Sequence, residues 1–251
     1  MDNSRSAVVQ GASRGIGLEI TRQLLRRDPG LRVWATCRAP EETEDLEDLA
    51  VSSAGRLTVL PLDVTDEDSV ERAARRFGEA TDRAHVVINV SGVLHGPRFR
   101  PEKKLDHVDS DALHAVFAVN AFGPLLVAKH FHRFLRHDER SVFASFSARV
   151  GSISDNRLGG WYAYRASKAA QNMITKTLSI ELARVAPRAI VVGLHPGTVD
   201  TDLSRPFQRH VPKDRLLTPA ASVASLLDVL DALSSEDSGR VFDFRGTEVP
   251  P

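Results

Sequence analysis

Two short stretches of the chain carry residue types whose spacing permits chemistry. The first is Tyr164-Arg165-Ala166-Ser167-Lys168. Residues four apart fall on one helix face, so a phenol and an ammonium look into the same space. A neighbouring cation favours the phenolate and lowers a tyrosine pKa. Bringing a phenol from ~10 toward neutrality takes about 4 kcal/mol. A tyrosine tuned in this way donates or accepts protons. The chain has two tyrosines, and six lysines against 27 arginines, so the pairing draws on scarce residues. The second stretch is Gln10-Gly11-Ala12-Ser13-Arg14-Gly15-Ile16-Gly17. Glycines in the order G-x-x-x-G-x-G let backbone N–H groups approach a pyrophosphate, with a helix N-terminus facing the anion. An exposed helical pair and a ligand-free tight turn are the bland alternatives. The occurrence of both motifs on one chain counts against each.

These residues need elements to hold them. Apolar, β-rich runs occur at Ala7–Val9, Val33–Thr36, Leu57–Leu60, Val86–Ile88, Val142–Ala144, Ile190–Val192 and Val241–Phe244. Helical periodicity lies between them. It covers Ile16–Arg27, Asp66–Ala80 with Thr65 as N-cap, Ser110–Arg136, Trp161–Arg184 and Pro219–Leu233. Gly123-Pro124 predicts a kink in the third of these helices. Continuously apolar strands alternating with helices predict a parallel sheet covered on both faces. The glycine motif then sits in the first strand-to-helix turn. Two connections, Leu94–Asp109 and Gly197–Leu216, are longer than their geometry requires, as functional loops often are. No repeat, low-complexity tract or linker divides the 251 residues, so one domain spanning 1–251 is expected.

Composition sets limits. Thirty-three basic and 33 acidic residues cancel, which argues against attachment to nucleic acid or an anionic membrane by bulk charge. A single cysteine, Cys37, rules out an internal disulfide and fits a reducing compartment. Met1–Ser6 is polar and does not resemble a signal peptide, and no uninterrupted apolar run approaches membrane-spanning length. His130, His132 and His137 read as solvated helix faces rather than metal ligands, and no metal site is expected. The basic stretch Arg98–Lys104 reads as a solvated loop or a rim for anionic substrates. Phe207 is a candidate lid residue.

The motifs together resemble the short-chain dehydrogenase/reductase family over nearly the whole chain. Leu62-Asp63-Val64 resembles the segment that meets the adenine ring. Asn89-Val90-Ser91-Gly92 resembles the turn after strand four on the cofactor side. Asn120 resembles the catalytic asparagine, and His195-Pro196-Gly197-Thr198-Val199-Asp200-Thr201 the loop around the nicotinamide. The stretch from Ser147 to Ala170 is similar to C-factor and Sniffer-type carbonyl reductases. Gln10 and Ser91 depart from the family's usual threonine and alanine. Alignment on Gly151 places Ala148 in the catalytic serine column, leaving Ser147 as the nearest hydroxyl and Ser145 as the fallback.

The resemblance implies a doubly wound, seven-stranded Rossmann fold and a catalytic set of Asn120, Ser147, Tyr164 and Lys168. The implied cofactor contacts are Gly11, Ser13, Arg14, Gly15, Ile16, Gly17, Arg38, Asp63, Val64, Asn89, Ser91, Gly92, Tyr164, Lys168, Pro196, Gly197, Val199 and Thr201. Arg38, where strand two ends, and Arg14 offer two guanidiniums to a 2′-phosphate, and no carboxylate follows until Glu41. This predicts NADPH over NADH. The expected activity is reduction of a small aldehyde or ketone by a cytoplasmic homodimer. The alternatives are an alcohol dehydrogenase working mainly in oxidation, and a C-factor-like signalling protein with little turnover.

Overall fold

A computed structural model describes residues 5–251. The expectation for the N-terminal segment falls largely on Met1–Ser4, outside those residues. Strand β1 (Ser6–Gln10) leads through the glycine turn into helix α1 (Gly15–Arg27), followed by β2 (Arg32–Cys37), α2 (Glu44–Ser52), β3 (Leu57–Pro61), α3 (Glu67–Ala80) and β4 (Val86–Asn89). After a long connection come α4 (Ser110–Phe117), α5 (Gly123–Phe131), β5 (Ser141–Phe146), α6 (Tyr162–Val185) and β6 (Ala189–His195). The chain closes with the short strands β7 (Thr198–Val199) and β8 (Leu216–Leu217), helix α7 (Pro219–Ala232) and β9 (Val241–Asp243).

Seven strands form one parallel sheet in the order β3-β2-β1-β4-β5-β6-β9. The order reverses between β1 and β4, which opens a crevice at their carboxyl ends, the place where such sheets bind ligands. Alternation along β1 sends Ala7 and Val9 to one face, against Leu18, Ile20 and Leu24 of α1 and Leu226 and Leu230 of α7. Val8 points to the other face, against Phe77 of α3, Phe131 of α5 and Leu182 of α6. Both faces are therefore covered, as the apolar strands required.

Several boundaries differ from the sequence expectation. The N-cap of α3 is Asp66, whose carboxylate accepts from the Asp68 amide, while Thr65 turns back to Asp63. Helix α2 and the β7–β8 pair were not expected. The pair closes the base of the 197–216 excursion, which also holds 3₁₀ turns at Arg205–His210 and Lys213–Arg215. The expected kink at Gly123-Pro124 is a π-helical turn over Ala118–Phe122, with the Gly123 amide bonded to the Ala118 carbonyl. Pro124 has no N–H to give to the Asn120 carbonyl, so the helix widens one turn earlier. The run Ser110–Leu135 is long and apolar enough to cross a membrane by length and composition, but 44% of its most apolar window is buried within the molecule. The histidines expected on solvated faces are partly engaged. His130 meets Glu67, and His137 bonds the Ala84 carbonyl and packs against His85 with ring centres 5.0 Å apart. No cluster able to hold a metal occurs among the described residues.

Candidate active site

The glycine turn is shaped by close approach. A Cβ on Gly17 would lie 2.0 Å from the Gly11 carbonyl oxygen, so no other residue fits where α1 crosses β1. Gly11 has φ +85°, and a Cβ there would lie 2.6 Å from Ser91 Oγ. Gln10 and Ser91, two of the departures noted in the sequence, are bonded to each other. The Gln10 amide donates to Ser91 Oγ, and the Ser91 amide donates to Gln10 Oε1. They lie at the carboxyl ends of β1 and β4, on either side of the crevice. The first amides of a helix have no acceptor within it, so the N-terminus of α1 suits an anion. Ser13, Arg14 and Ile16 lie in this turn. Gly15 faces the other loop, since a Cβ there would be 3.4 Å from the Thr201 methyl.

Around this cradle the expected cofactor contacts fall in order along the sheet edge. Arg38 is exposed just past β2. Arg14 reaches Asp202 at 3.8 Å across solvent. Asp63 is fixed by bonds from the amide and hydroxyl of Thr65, and Val64 is buried against Gly123. Asn89 donates to Ser145 Oγ at 3.1 Å, while its Oδ1 is buried without a partner. Pro196 accepts from the Ser222 hydroxyl, Gly197 packs on Phe244 and Leu217, and Val199 accepts from Ser204. His195, just before Pro196, is pushed down to about 4 by burial, against the opposing pull of Asp243, and its Nδ1 has no partner.

The Tyr164–Lys168 pair is buried on α6, with Lys168 Nζ 5.8 Å from the Tyr164 ring centre. Lys168 Nζ donates to the Phe146 carbonyl at 2.6 Å and to Gln171 Oε1 at 3.1 Å. Gly151 is pressed on Lys168, where a Cβ would be 2.8 Å from the lysine Cβ. A Cβ on Gly92 would lie 3.6 Å from Asn120 Oδ1 and 3.7 Å from Lys168 Nζ, so these three residues share one corner. Asn120 is clamped: its Oδ1 takes the Val93 amide, and its Nδ2 donates to the Val93 carbonyl and to Ser167 Oγ.

Two expectations need correction or refinement. Burial, not the lysine, governs the phenol, which is pushed up to about 12, while burial pushes Lys168 down to about 7. Neutral carbonyl and amide acceptors replace water poorly around an ammonium, so Lys168 has little charge to lend its neighbour. The hydroxyl hydrogen of Ser147 goes to Asn172 Oδ1 at 2.6 Å, and Ser145 is taken by Asn89.

Sequence reasoning missed Glu102. It is 3% exposed, and it comes from the 94–109 connection. Its carbonyl accepts from the Trp161 amide at 2.6 Å, and its Oε2 accepts from the Ala163 amide at 3.3 Å. It thus caps α6 from outside, where no side chain of the helix does so. Trp161 sits at φ +53°, a strained setting for a bulky residue, and the Glu102 contact holds it there. Glu102→Ala is expected to leave the buried Ala163 amide unpaired and cost about 1–3 kcal/mol. Hydrogen exchange of the first turn of α6 should accelerate, and Glu102→Gln should restore most of the protection. Unchanged protection in Glu102→Ala would remove this capping role.

Comparison with known proteins places the chain in a family. The chain is 34% identical to 1-hydroxy-2-glutathionyl-2-methyl-3-butene dehydrogenase of Rhodococcus sp., over 96% of this chain and 97% of that one. Its fold superposes on NADPH-bound carbonyl reductase from chicken fatty liver with TM-score 0.88 and 31% identity, covering 99% of both chains. For carbonyl reductase Sniffer of D. melanogaster the TM-score is 0.86 at 26% identity, covering 99% of this chain and 100% of that one. The sequence pattern described as short chain dehydrogenase matches residues 5–212, from β1 through the loop that faces the glycine turn. A doubly wound sheet with the glycine cradle and the Tyr164–Lys168 pair at its switch point is therefore one more member of the short chain dehydrogenase family.

Proposed function

We propose that this oxidoreductase reduces an aldehyde or ketone to an alcohol with NADPH. The convergence of Tyr164, Lys168, Asn120 and Gly92 beside the glycine cradle carries the reading. NADPH fits the residues present. The turn admits no Cβ at Gly11 or Gly17, and the sheet edge holds an unpaired Asn89 Oδ1. When bound, the cofactor supplies the hydride.

The chain's own groups do the rest. Tyr164 keeps its proton at neutral pH, the state that a reduction consumes, and gives it to the oxygen as negative charge develops there. Ser147 holds that oxygen by turning its hydroxyl from Asn172, at the cost of one hydrogen bond, about 1 kcal/mol. Lys168 binds ribose hydroxyls and returns a proton to the phenolate left on Tyr164. The Asn120 carbonyl, denied a donor by Pro124, holds a relay water. The excursions 94–109 and 197–216 bound the substrate. The working form is a homodimer in the cytoplasm, and the exposed Phe122, Leu125, Met173 and Ile180 of the α5 and α6 region supply its contact. Oxidation of NADPH by a panel of aldehydes and diketones tests the reading, and no turnover with any of them would overturn it.

Cofactor choice follows from Arg38 and Arg14. The Arg14–Asp202 pair is exposed and weak, so the guanidinium is free to turn to a phosphate. With charged hydrogen bonds worth about 1.5–3 kcal/mol each, kcat/KM should favour NADPH over NADH by about tenfold to several hundredfold. Arg38→Asp should erode that ratio through weaker NADPH binding. Equal values for the two cofactors in the unmutated protein would refute the assignment.

A further inference from the structure

An aromatic series leads outward from the catalytic tyrosine. Trp161 stands edge-on to Tyr164 with ring centres 6.3 Å apart and planes at 81°. Phe207, from the 197–216 excursion, packs on Trp161 at 5.1 Å. His95, from the 94–109 connection, packs on Phe207 at 5.7 Å. Three separate segments thus bring their rings to one side of Tyr164. None of the three added rings is fully buried, so the series is a wall and not part of the core. Its far end carries an unsatisfied polar atom, because His95 Nε2 is buried with no hydrogen-bond partner. A buried, unpaired ring nitrogen is costly unless something else completes it. Trp161 is also held in a strained backbone setting by the buried Glu102, which fixes the wall relative to the first turn of α6. Strain kept in place at a site of chemistry points to a positional requirement.

We propose that this wall selects carbonyl substrates bearing an aromatic ring, which rests on Trp161 and Phe207 while a hydrogen-bonding group on the ring's far side meets His95 Nε2. The proposal rests on the carbonyl-reducing reading above. It adds the substrate class and names Trp161, Phe207 and His95 as the residues that set specificity.

The test compares substrates whose carbonyls are electronically alike. Phenylacetaldehyde and cyclohexylacetaldehyde both separate the ring from the carbonyl by one methylene. In the unmutated enzyme with NADPH, kcat/KM should favour the phenyl compound by about five- to tenfold, the scale of one to two aromatic contacts. Trp161→Leu and Phe207→Leu should each bring the ratio toward one. 4-Hydroxyphenylacetaldehyde should exceed phenylacetaldehyde by about two- to tenfold, and His95→Leu should abolish that gain. A ratio near one in the unmutated enzyme, or one unchanged in Trp161→Leu, would overturn the proposal.

A second arm does not depend on turnover. The chain has two tryptophans, and Trp34 is buried in the sheet against Phe77, so ligands at the wall act on Trp161 fluorescence. 2-Phenylethanol should quench that emission at concentrations several-fold lower than 2-cyclohexylethanol does. Quenching with that preference but no NADPH oxidation by any aldehyde would support the wall and reject carbonyl reduction. Turnover without preference in either arm would do the reverse.

Discussion

Tyr164→Phe is expected to lose at least about two orders of magnitude in kcat for carbonyl reduction, the usual scale for removal of a general acid. The variant lacks one oxygen from a side chain that is 9% exposed, and that oxygen has no hydrogen bond to Lys168. The fold and the glycine cradle should therefore be untouched. NADPH binding, read by cofactor fluorescence, should stay within a few-fold of the parent. Near-normal turnover would show that another group protonates the oxygen. Joint loss of binding and turnover would mean that Tyr164 holds the cofactor more than it moves a proton.

The second large effect concerns the buried ammonium. Lys168→Met should abolish most turnover and also change how stability depends on pH. Burial places the folded-state pKa of Lys168 at about 7, against 10.5 for the ordinary lysine. Between those values the unfolded chain binds a proton that the folded chain lacks. The parent protein therefore gains stability as pH rises through this window, and the methionine variant does not. Below about pH 7 the parent carries the full cost of the buried charge. The difference between the two unfolding free energies should change by on the order of 4 kcal/mol from pH 7 to pH 10, with the variant favoured at the acid end. Part of that advantage is offset because the Phe146 carbonyl and Gln171 lose their donor. Denaturant unfolding of both cofactor-free proteins across that range measures the change. Parallel curves would mean that Lys168 is solvated and its pKa ordinary.

The elements that carry the sheet were legible because their signal is local. An apolar run such as Val142–Ala144 has one solution in a parallel sheet, and the glycine turn has one solution where α1 must touch the Gly11 carbonyl. The spacing of Tyr164 and Lys168 survives in the structure for the same reason, since both lie on one helix. What failed depended on contacts between distant segments. The sign of the phenol's shift is set by burial under other elements, which a four-residue spacing does not reveal. Glu102 looked like one acid in a basic loop, yet it lies buried 61 residues from the amide it caps. His95 had no motif at all, and only packing on Phe207 joins it to the aromatic series. Ser147 lies where expected on the chain, but its hydroxyl partner, Asn172, is 25 residues away.

The bond between Gln10 and Ser91 ties two positions 81 residues apart into one unit. Gln10 is 3% exposed, so with alanine at 91 its amide would be buried without an acceptor. With threonine at 10, the serine hydroxyl would lose the side-chain amide that donates to it. Each single replacement is therefore expected to leave one polar group without its partner, and the joint replacement to remove both groups together. A double-mutant cycle on unfolding free energy should show the two positions coupled, with the joint replacement costing less than the sum of the single ones.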